Sequence, residues 1–380
     1  MRNFDYHSPT RILFGAGQIA SLAQLIPSAS HVLITHGGAS ILQNGVWREI
    51  EQALVGHPLS RFAGIEASAQ YATLLRAIAQ ARRSRCDFIL AVGGGAVIDG
   101  SKFIAAALAY PGDPFDLLSG TPIRRALPLG SIAIPDTTGS EGNCHGVVSH
   151  AELQTSLGFS APCLFPRFAI LDPRTTFSLS PRQIGSGVVA SFAHALLKYL
   201  DGADDNPLRD RQLEGLLLTL REQGPLALAQ PQDYGTRANL MCCASQALNG
   251  LQGPAAAPGN AVLALGHELG RLYHLDHGQS LAVLLPAWLG EPDSCPLGKL
   301  LQYAERVWSL PRGTPQQHRE AAISATAGFF RSMGLCTRLS ALGLDAEAIA
   351  EILAQVQRQP AATRPDLAIE ACEHLLLRAL

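Results

Sequence analysis

Residues 91–102 read AVGGGAVIDGSK, and this stretch decides the fold of the 380-residue chain. A buried-strand pattern that begins at Phe88 leads into three glycines, and a helical pattern follows them. Glycine lets a backbone approach a ligand closely, and the free N–H groups at the start of a helix suit a pyrophosphate. A tight turn between strand and helix would explain the same glycines without a ligand. The stretch also differs from the GxGxxG pattern of a Rossmann dinucleotide site.

Two more apolar runs, residues 31–35 and residues 131–135, predict strands on either side of this stretch. Residues 71–78 lie between two of these predicted strands and have the spacing of an amphipathic helix. Strands that alternate with helices in this way predict a mostly parallel sheet covered by helices on both faces.

The pattern of apolar residues changes near the middle of the chain. After the turn-rich segment 172–181 the strand patterns stop and helical spacing continues. A chain of this length also exceeds one ordinary hydrophobic core and fits two domains. We therefore expect an α/β domain over residues 1–180 and an all-helical domain over residues 181–380.

Composition excludes several classes of protein. Hydrophobic residues make up 47% of the chain, charged residues make up 16%, and the formal net charge is −2. The basic residues are scattered, so we expect neither a nucleic-acid partner nor an anionic membrane surface. No apolar run is long enough to cross a membrane, and the N-terminus lacks the apolar core of a signal peptide. The eight cysteines form no CxxC pair, which indicates reduced thiols in a cytoplasmic protein.

The glycine stretch resembles the GGGSxxDxxK motif of the iron-dependent (group III) alcohol dehydrogenases. The matching residues are Gly93, Gly94, Gly95, Asp99 and Lys102, and Ala96 stands in place of the serine. Similar stretches run along nearly the whole chain and include residues 8–17, 137–141 and 171–173. The resemblance is nearest to the NADPH-dependent aldehyde reductase branch through residues 187–189, 245–250 and 301–308. The resemblance implies a dehydroquinate synthase-like fold, in which a Rossmann-like α/β domain precedes an all-α catalytic domain. It also implies a small-molecule substrate in the cleft between the domains, and we expect a homodimer.

The dinucleotide is expected to bind at three segments of the chain. The residues expected to bind it are Gly37, Gly38, Ser40, Gly93, Gly94, Gly95, Asp99, Lys102, Thr137 and Thr138. An acidic residue after the first strand would bind a ribose 2′-hydroxyl and repel a 2′-phosphate, but Thr35 is followed by His36 and small residues. This favours NADP(H). The following residues 42–44 bring no lysine or arginine to a phosphate, so NAD(H) stays open as the alternative.

Members of the family hold one divalent metal with an aspartate and three histidines. The resemblance matches His194 and His277 to two of these ligands, and it places Ala190 and Leu263 where the aspartate and the third histidine belong. Neither of those side chains can ligate, and a catalytic metal usually needs three protein ligands. We therefore expect no metal site of the family's kind. The alternative is rescue by substitute ligands, for which the candidates are His145, Cys144 and His274.

The candidate catalytic residues are the histidines His267, His194, His277 and His145. His267 matches the family's non-ligating active-site histidine, and it lies one helical turn after Leu263, on the same helix face. An imidazole titrates near neutral pH, which suits a general acid that protonates a developing alkoxide. The alternative is a structural role, in which His267 bonds Glu268 or a backbone carbonyl.

Three functions are compatible with these residues. The first is reduction of a carbonyl compound or an imine by NADP(H) without the family's catalytic metal. The second is a different, non-redox reaction on the same fold. The third is a non-catalytic protein that binds a dinucleotide.

Overall fold

The computed structural model describes residues 5–134, 139–201, 206–249, 260–292, 294–311, 313–358 and 368–380. The chain divides into two compact units, His7–Ser178 and Leu179–Leu380, with residues 5 and 6 belonging to the second. The division falls inside the turn-rich segment 172–181. We call the first unit the N-terminal domain and the second the C-terminal domain.

A six-stranded parallel sheet forms the centre of the N-terminal domain. Its strands are β1 (Arg11–Phe14), β2 (Val32–His36), β3 (Leu59–Ala63), β4 (Phe88–Gly93), β5 (Leu129–Ala133) and β8 (Phe168–Leu171), in the spatial order β1-β8-β5-β4-β2-β3. Two strands outside this sheet, β6 (His145–His150) and β7 (Thr155–Ser160), pair antiparallel. Strands β2 and β5 are buried along their whole length, as expected for a parallel sheet covered on both faces.

Helices cover the two faces of this sheet. The helices are α1 (Leu22–Leu25), α2 (Ser40–Gln43), α3 (Val46–Ala53), α4 (Tyr71–Ser84) and α5 (Gly95–Leu108). Leu33 of β2 and Phe62 of β3 pack in one apolar core with residues of α4 and α5. Because side chains alternate along a strand, Ile34 and His36 project from the opposite face of the sheet.

The C-terminal domain is helical throughout its described residues. Its helices are α6 (Pro181–Leu200), α7 (Pro207–Ala229), α8 (Tyr234–Asn249), α9 (Asn260–Tyr273), α10 (His277–Leu289), α11 (Leu297–Arg306), α12 (Pro315–Ser332), α13 (Ala346–Arg358) and α14 (Ile369–Ala379). Ser180 and Gln183 form a reciprocal capping box at the start of α6, and Pro181 occupies its first helical position. Nothing in the described part of the chain is a helix long and apolar enough to span a membrane. The predicted fold class, a Rossmann-like α/β domain followed by an all-α domain, is confirmed.

The packing of Gly130 in β5 leads to the first testable prediction. A Cβ atom at Gly130 would overlap the ring of Phe168, its register partner on β8, which is only 1% exposed. We expect Gly130→Ala to lower the free energy of unfolding by about 1–3 kcal/mol, the usual cost of overpacking a core. Denaturant unfolding measures the change. Gly158→Ala on β7 is the matched control, because a Cβ there meets no atom within 4 Å. Equal losses in the two variants would contradict the packing argument.

Candidate active site

The glycine stretch forms the turn from β4 into α5. Gly94 is the N-cap residue of α5, and it provides no side-chain cap for the N–H groups of the first turn. A Cβ atom on Gly93 would lie 2.8 Å from the side chain of Val97, so the turn has no room for a larger residue. The free N–H groups of such a turn can donate hydrogen bonds to the oxygens of a pyrophosphate.

Asp99 and Lys102 lie on α5, one turn apart, with Asp99 Oδ1 and Lys102 Nζ 3.8 Å from each other. Lys102 is fully buried and donates to Asn143 Oδ1 at 2.9 Å and to the carbonyl of His145 at 2.6 Å. Burial raises the pKa of Asp99 and lowers that of Lys102, and the attraction between the two groups opposes both shifts. The backbone N–H of Val147 donates to Asp99 Oδ2 at 3.1 Å. The pair therefore joins the start of β6 to the helix that follows the glycines.

The second loop assigned to the dinucleotide, residues 37–40, follows β2. The N–H of Gly64 donates to the carbonyls of His36 and Gly37, at 3.1 and 3.0 Å. A Cβ atom on Gly37 would lie 3.1 Å from the carbonyl oxygen of Ile65, which explains a glycine at this position. Ser40 begins α2. The other two residues assigned to the cofactor, Thr137 and Thr138, lie outside the described residues.

Beside this loop lie three residues that the sequence analysis did not single out as a group. His36 is 1% exposed and its Nδ1 donates to the carbonyl of Gly38 at 3.0 Å. Arg61 lies on β3, where it pairs with Ile34 of β2, and its guanidinium stands 5.4 Å from the ring centroid of Trp47 on α3. Burial lowers the pKa of His36, and the charge of Arg61 lowers it further. The sequence analysis missed Arg61 because β3 was not among the predicted strands.

Three of the four candidate catalytic histidines come together in the C-terminal domain. His194 lies on α6, His267 on α9, and His277 is the first residue of α10. The Nε2 atoms of His194 and His277 are 3.1 Å apart, so one ring donates a hydrogen bond to the other. The rings of His267 and His277 stack with centroids 5.6 Å apart and planes inclined by 26°. The fourth candidate, His145, belongs to the N-terminal domain, where its carbonyl accepts a hydrogen bond from Lys102.

A close approach between helices α6 and α10 positions His277. The N–H of Gly278 donates to Ser186 Oγ at 3.2 Å, and a Cβ atom on Gly278 would overlap the backbone of Ser186. Only glycine lets the first turn of α10 lie this near α6. The ring of the preceding residue, His277, is thereby held against His194.

Desolvation lowers the pKa of all three clustered imidazoles. The pKa of His194 is lowered further by Lys198 and His267, and that of His277 by His194 and His267. The neutral form of each ring is therefore favoured, and desolvation shifts the pKa of His267 below that of the free imidazole on which the sequence analysis relied. Lys198, one turn after His194, is buried, donates to the carbonyl of Leu248 at 3.0 Å, and has a pKa lowered by burial to about 8.

The donor set at this cluster does not fit the metal that the family implies. Among the four positions that the resemblance assigns to metal ligands, Ala190 and Leu263 carry no donor atom, which leaves only the two imidazoles of His194 and His277. Across the described part of the chain, no group of three or more histidine, cysteine or acidic side chains is arranged to hold a metal ion. The substitute ligands considered in the sequence analysis, His145, Cys144 and His274, therefore complete no such group there. Tetrahedral catalytic sites usually have three protein ligands and one open position.

Comparisons with known proteins support the family resemblance. Residues 9–173 match the family described as iron-containing alcohol dehydrogenase, and residues 184–370 match its C-terminal family. The NADPH-dependent aldehyde reductase YqhD of Escherichia coli is 44% identical over 94% of this chain and 93% of its own length. The crystal structure of that protein superposes with a TM-score of 0.94, covering 100% of this chain and 99% of the other, at 42% identity.

Two further relatives differ in the cofactor that they use. The NADP-dependent alcohol dehydrogenase 3 of Entamoeba histolytica is 33% identical over 99% of this chain and 98% of its own length. The NADH-dependent butanol dehydrogenase B of Clostridium acetobutylicum is 34% identical and covers 91% of each chain. With matches over both domains and a relative above 40% identity, the chain belongs to the iron-containing alcohol dehydrogenase family of oxidoreductases.

Proposed function

We propose that this chain reduces a small carbonyl compound or imine with NADPH, and that it does so without a catalytic metal. The observation that carries the proposal is the composition of the imidazole cluster: two positions that hold ligands in the family are occupied here by Ala190 and Leu263. Reduction is the activity named for the E. coli relative, an aldehyde reductase. What distinguishes this chain is the means of stabilising the negative charge that develops on the substrate oxygen or nitrogen.

His267 is the residue that we propose for this task. The Nε2 atoms of His194 and His277 are occupied by their mutual hydrogen bond, whereas His267 is exposed and bonds no described protein group. Its expected structural partner, Glu268, forms an ion pair with Arg271 at 2.8 Å. A neutral imidazole has one N–H, which can bond the carbonyl oxygen and transfer its proton as hydride arrives at carbon. An alkoxide is basic enough to take that proton, and the exposed ring can be reprotonated from water.

NADP(H) is the cofactor that we propose. No carboxylate follows β2, where one would repel a 2′-phosphate. Two of the relatives named above are NADP- or NADPH-dependent and one is NADH-dependent, so family membership alone leaves the choice open. The absence of a carboxylate after β2 is the observation in this chain that favours the phosphorylated dinucleotide.

Binding of the cofactor can be measured without knowledge of the substrate. We expect NADPH to bind with a Kd in the micromolar range, which corresponds to roughly −8 kcal/mol. Titration calorimetry of the purified protein measures this affinity. Absence of heat with both NADPH and NADH, together with no shift in melting temperature, would contradict the assignment of the glycine loops to a dinucleotide.

The metal content of the purified protein gives a second test. We expect well under one equivalent of zinc, iron or nickel per chain, and turnover that is unchanged by EDTA, because two imidazoles are a weak ligand set. Elemental analysis and assays with and without chelator measure both. The double variant Ala190→Asp, Leu263→His should gain a metal equivalent. A full equivalent in the unmodified chain, retained against EDTA, would show that other ligands complete a site.

Substitution of the three histidines tests the proposed proton donor. His267→Ala should lower kcat by roughly 10² to 10⁴, the usual effect of removing a positioned proton donor. The affinity for NADPH should stay the same, because the glycine loops belong to the other domain. His194→Ala and His277→Ala should have smaller effects, and His374→Ala, an exposed histidine on α14, is the matched control. If His194 and His277 are each essential while His267 is dispensable, a metal is present and the proposal is wrong.

A further inference from the structure

We propose that His36 and Arg61 together recognise the 2′-phosphate of NADP(H) and so determine which dinucleotide this chain uses. The inference deepens the proposed function and rests on it, because it assumes that a dinucleotide binds in the N-terminal domain. It assigns the discrimination to two side chains on neighbouring strands.

His36 lies at the carboxyl end of a strand of the parallel sheet. In open parallel sheets, ligands bind beyond the carboxyl ends of the strands, and the residue at the end of such a strand meets the adenosine ribose. His36 is the last residue of β2 and directly precedes Gly37 and Gly38. In NAD-binding proteins of this kind an acidic side chain receives the 2′-hydroxyl there. An imidazole at the same place can instead present an N–H group to a phosphate.

The hydrogen bonds of His36 leave one ring nitrogen available. A carbonyl oxygen only accepts, so the bond from Nδ1 to the carbonyl of Gly38 requires that Nδ1 carries a proton. The other nitrogen, Nε2, is buried and has no hydrogen-bond partner among the described residues. Leaving a buried polar atom unpaired is unfavourable. A ligand oxygen at this nitrogen would remove that penalty.

Arg61 supplies the charge that favours a phosphate over a hydroxyl. In the parallel register Ile34 pairs with Arg61 and His36 with Ala63, so the side chains of Arg61 and His36 project from the same face of the sheet. Arg61 is exposed, and within the described part of the chain its guanidinium has no carboxylate partner. Cζ of the guanidinium lies 5.4 Å from the centroid of the Trp47 ring, a contact that limits the freedom of the side chain before a ligand arrives. A guanidinium donates to two phosphate oxygens at once.

Protonation of His36 distinguishes the two dinucleotides. A bond from Nε2 to a phosphate oxygen needs a second proton on the ring, because Nδ1 is already a donor to Gly38. The groups that act on the imidazole are Arg61, which opposes this proton, and the backbone of Gly37 and Gly38, which favours it. The dianionic phosphate adds a strong attraction. Binding of a 2′-phosphorylated nucleotide should therefore take up a proton, and binding of the 2′-hydroxyl form should not.

The test uses two adenosine nucleotides that differ only in the 2′-phosphate, 2′,5′-ADP and 5′-AMP, titrated calorimetrically into the full-length protein. Arg61→Gln and His36→Gln should each weaken 2′,5′-ADP roughly 10- to 100-fold, the span for a hydrogen bond to a charged group. Binding of 5′-AMP should change less than about threefold. Arg83→Gln is the matched control, since Arg83 is an exposed arginine on α4, which packs on the opposite face of the sheet.

Titration in two buffers of different ionisation enthalpy gives the second readout. We expect proton uptake with 2′,5′-ADP, none with 5′-AMP, and loss of the uptake in His36→Gln. Arg61→Gln keeps the test valid if His36→Gln fails to fold, because Arg61 is exposed. The inference is overturned if the unmodified chain binds both nucleotides equally, or if both variants keep its preference. Reduction of aldehydes by NADPH, assayed alongside, reports separately on the proposed function.

Discussion

The contact between Gly278 and Ser186 is the constraint on which the geometry of the histidine cluster depends. Because position 278 has no side chain, the first turn of α10 lies against the backbone of α6. This approach sets the 3.1 Å separation between the Nε2 atoms of His194 and His277. His267 then stacks on His277 from α9. Three helices therefore contribute to one group of imidazoles, and Gly278 allows the close approach of two of them.

The proposed absence of two ligand side chains bears on the electrostatics of this group of imidazoles. A divalent metal and an aspartate would together contribute one net positive charge, whereas the clustered imidazoles are neutral. The buried ammonium of Lys198, one turn along α6, now contributes a positive charge that acts on His194. Neutral rings can serve as hydrogen-bond donors and acceptors at physiological pH. A polar, uncharged centre of this kind is what the proposed reduction of a carbonyl compound requires.

In the N-terminal domain, by contrast, the buried charges are paired with each other. Asp99 and Lys102 oppose each other within one helix turn, and their remaining hydrogen bonds go to residues at the start of the β6–β7 pair. Each charge is compensated inside the protein. Arg61 has no such compensation among the described residues, and this contrast between paired and unpaired cations is why we assign it to an anionic ligand.

Local sequence was enough to predict the fold class and the strand-to-helix turn at Gly93–Gly95, while the vacant ligand positions at Ala190 and Leu263 stay a prediction from the family resemblance. Each of these depends on residue type and short-range spacing: glycines after an apolar run, helical periodicity after residue 180, and side chains without donor atoms. The predicted strands at residues 31–35 and 131–135 correspond to β2 and β5, displaced by one or two residues. Short-range patterns define where an element lies better than where it ends.

Tertiary structure alone decided which side chains meet and what charge they carry. The hydrogen bond between His194 and His277 spans 83 positions in the chain, and the alignment of Arg61 with Ile34 arises from the register of two parallel strands. Desolvation lowers the pKa of His267, and the residue type alone does not predict this shift. Sequence patterns report local propensity and residue chemistry. Desolvation and long-range register depend on the folded chain, because distant segments create them.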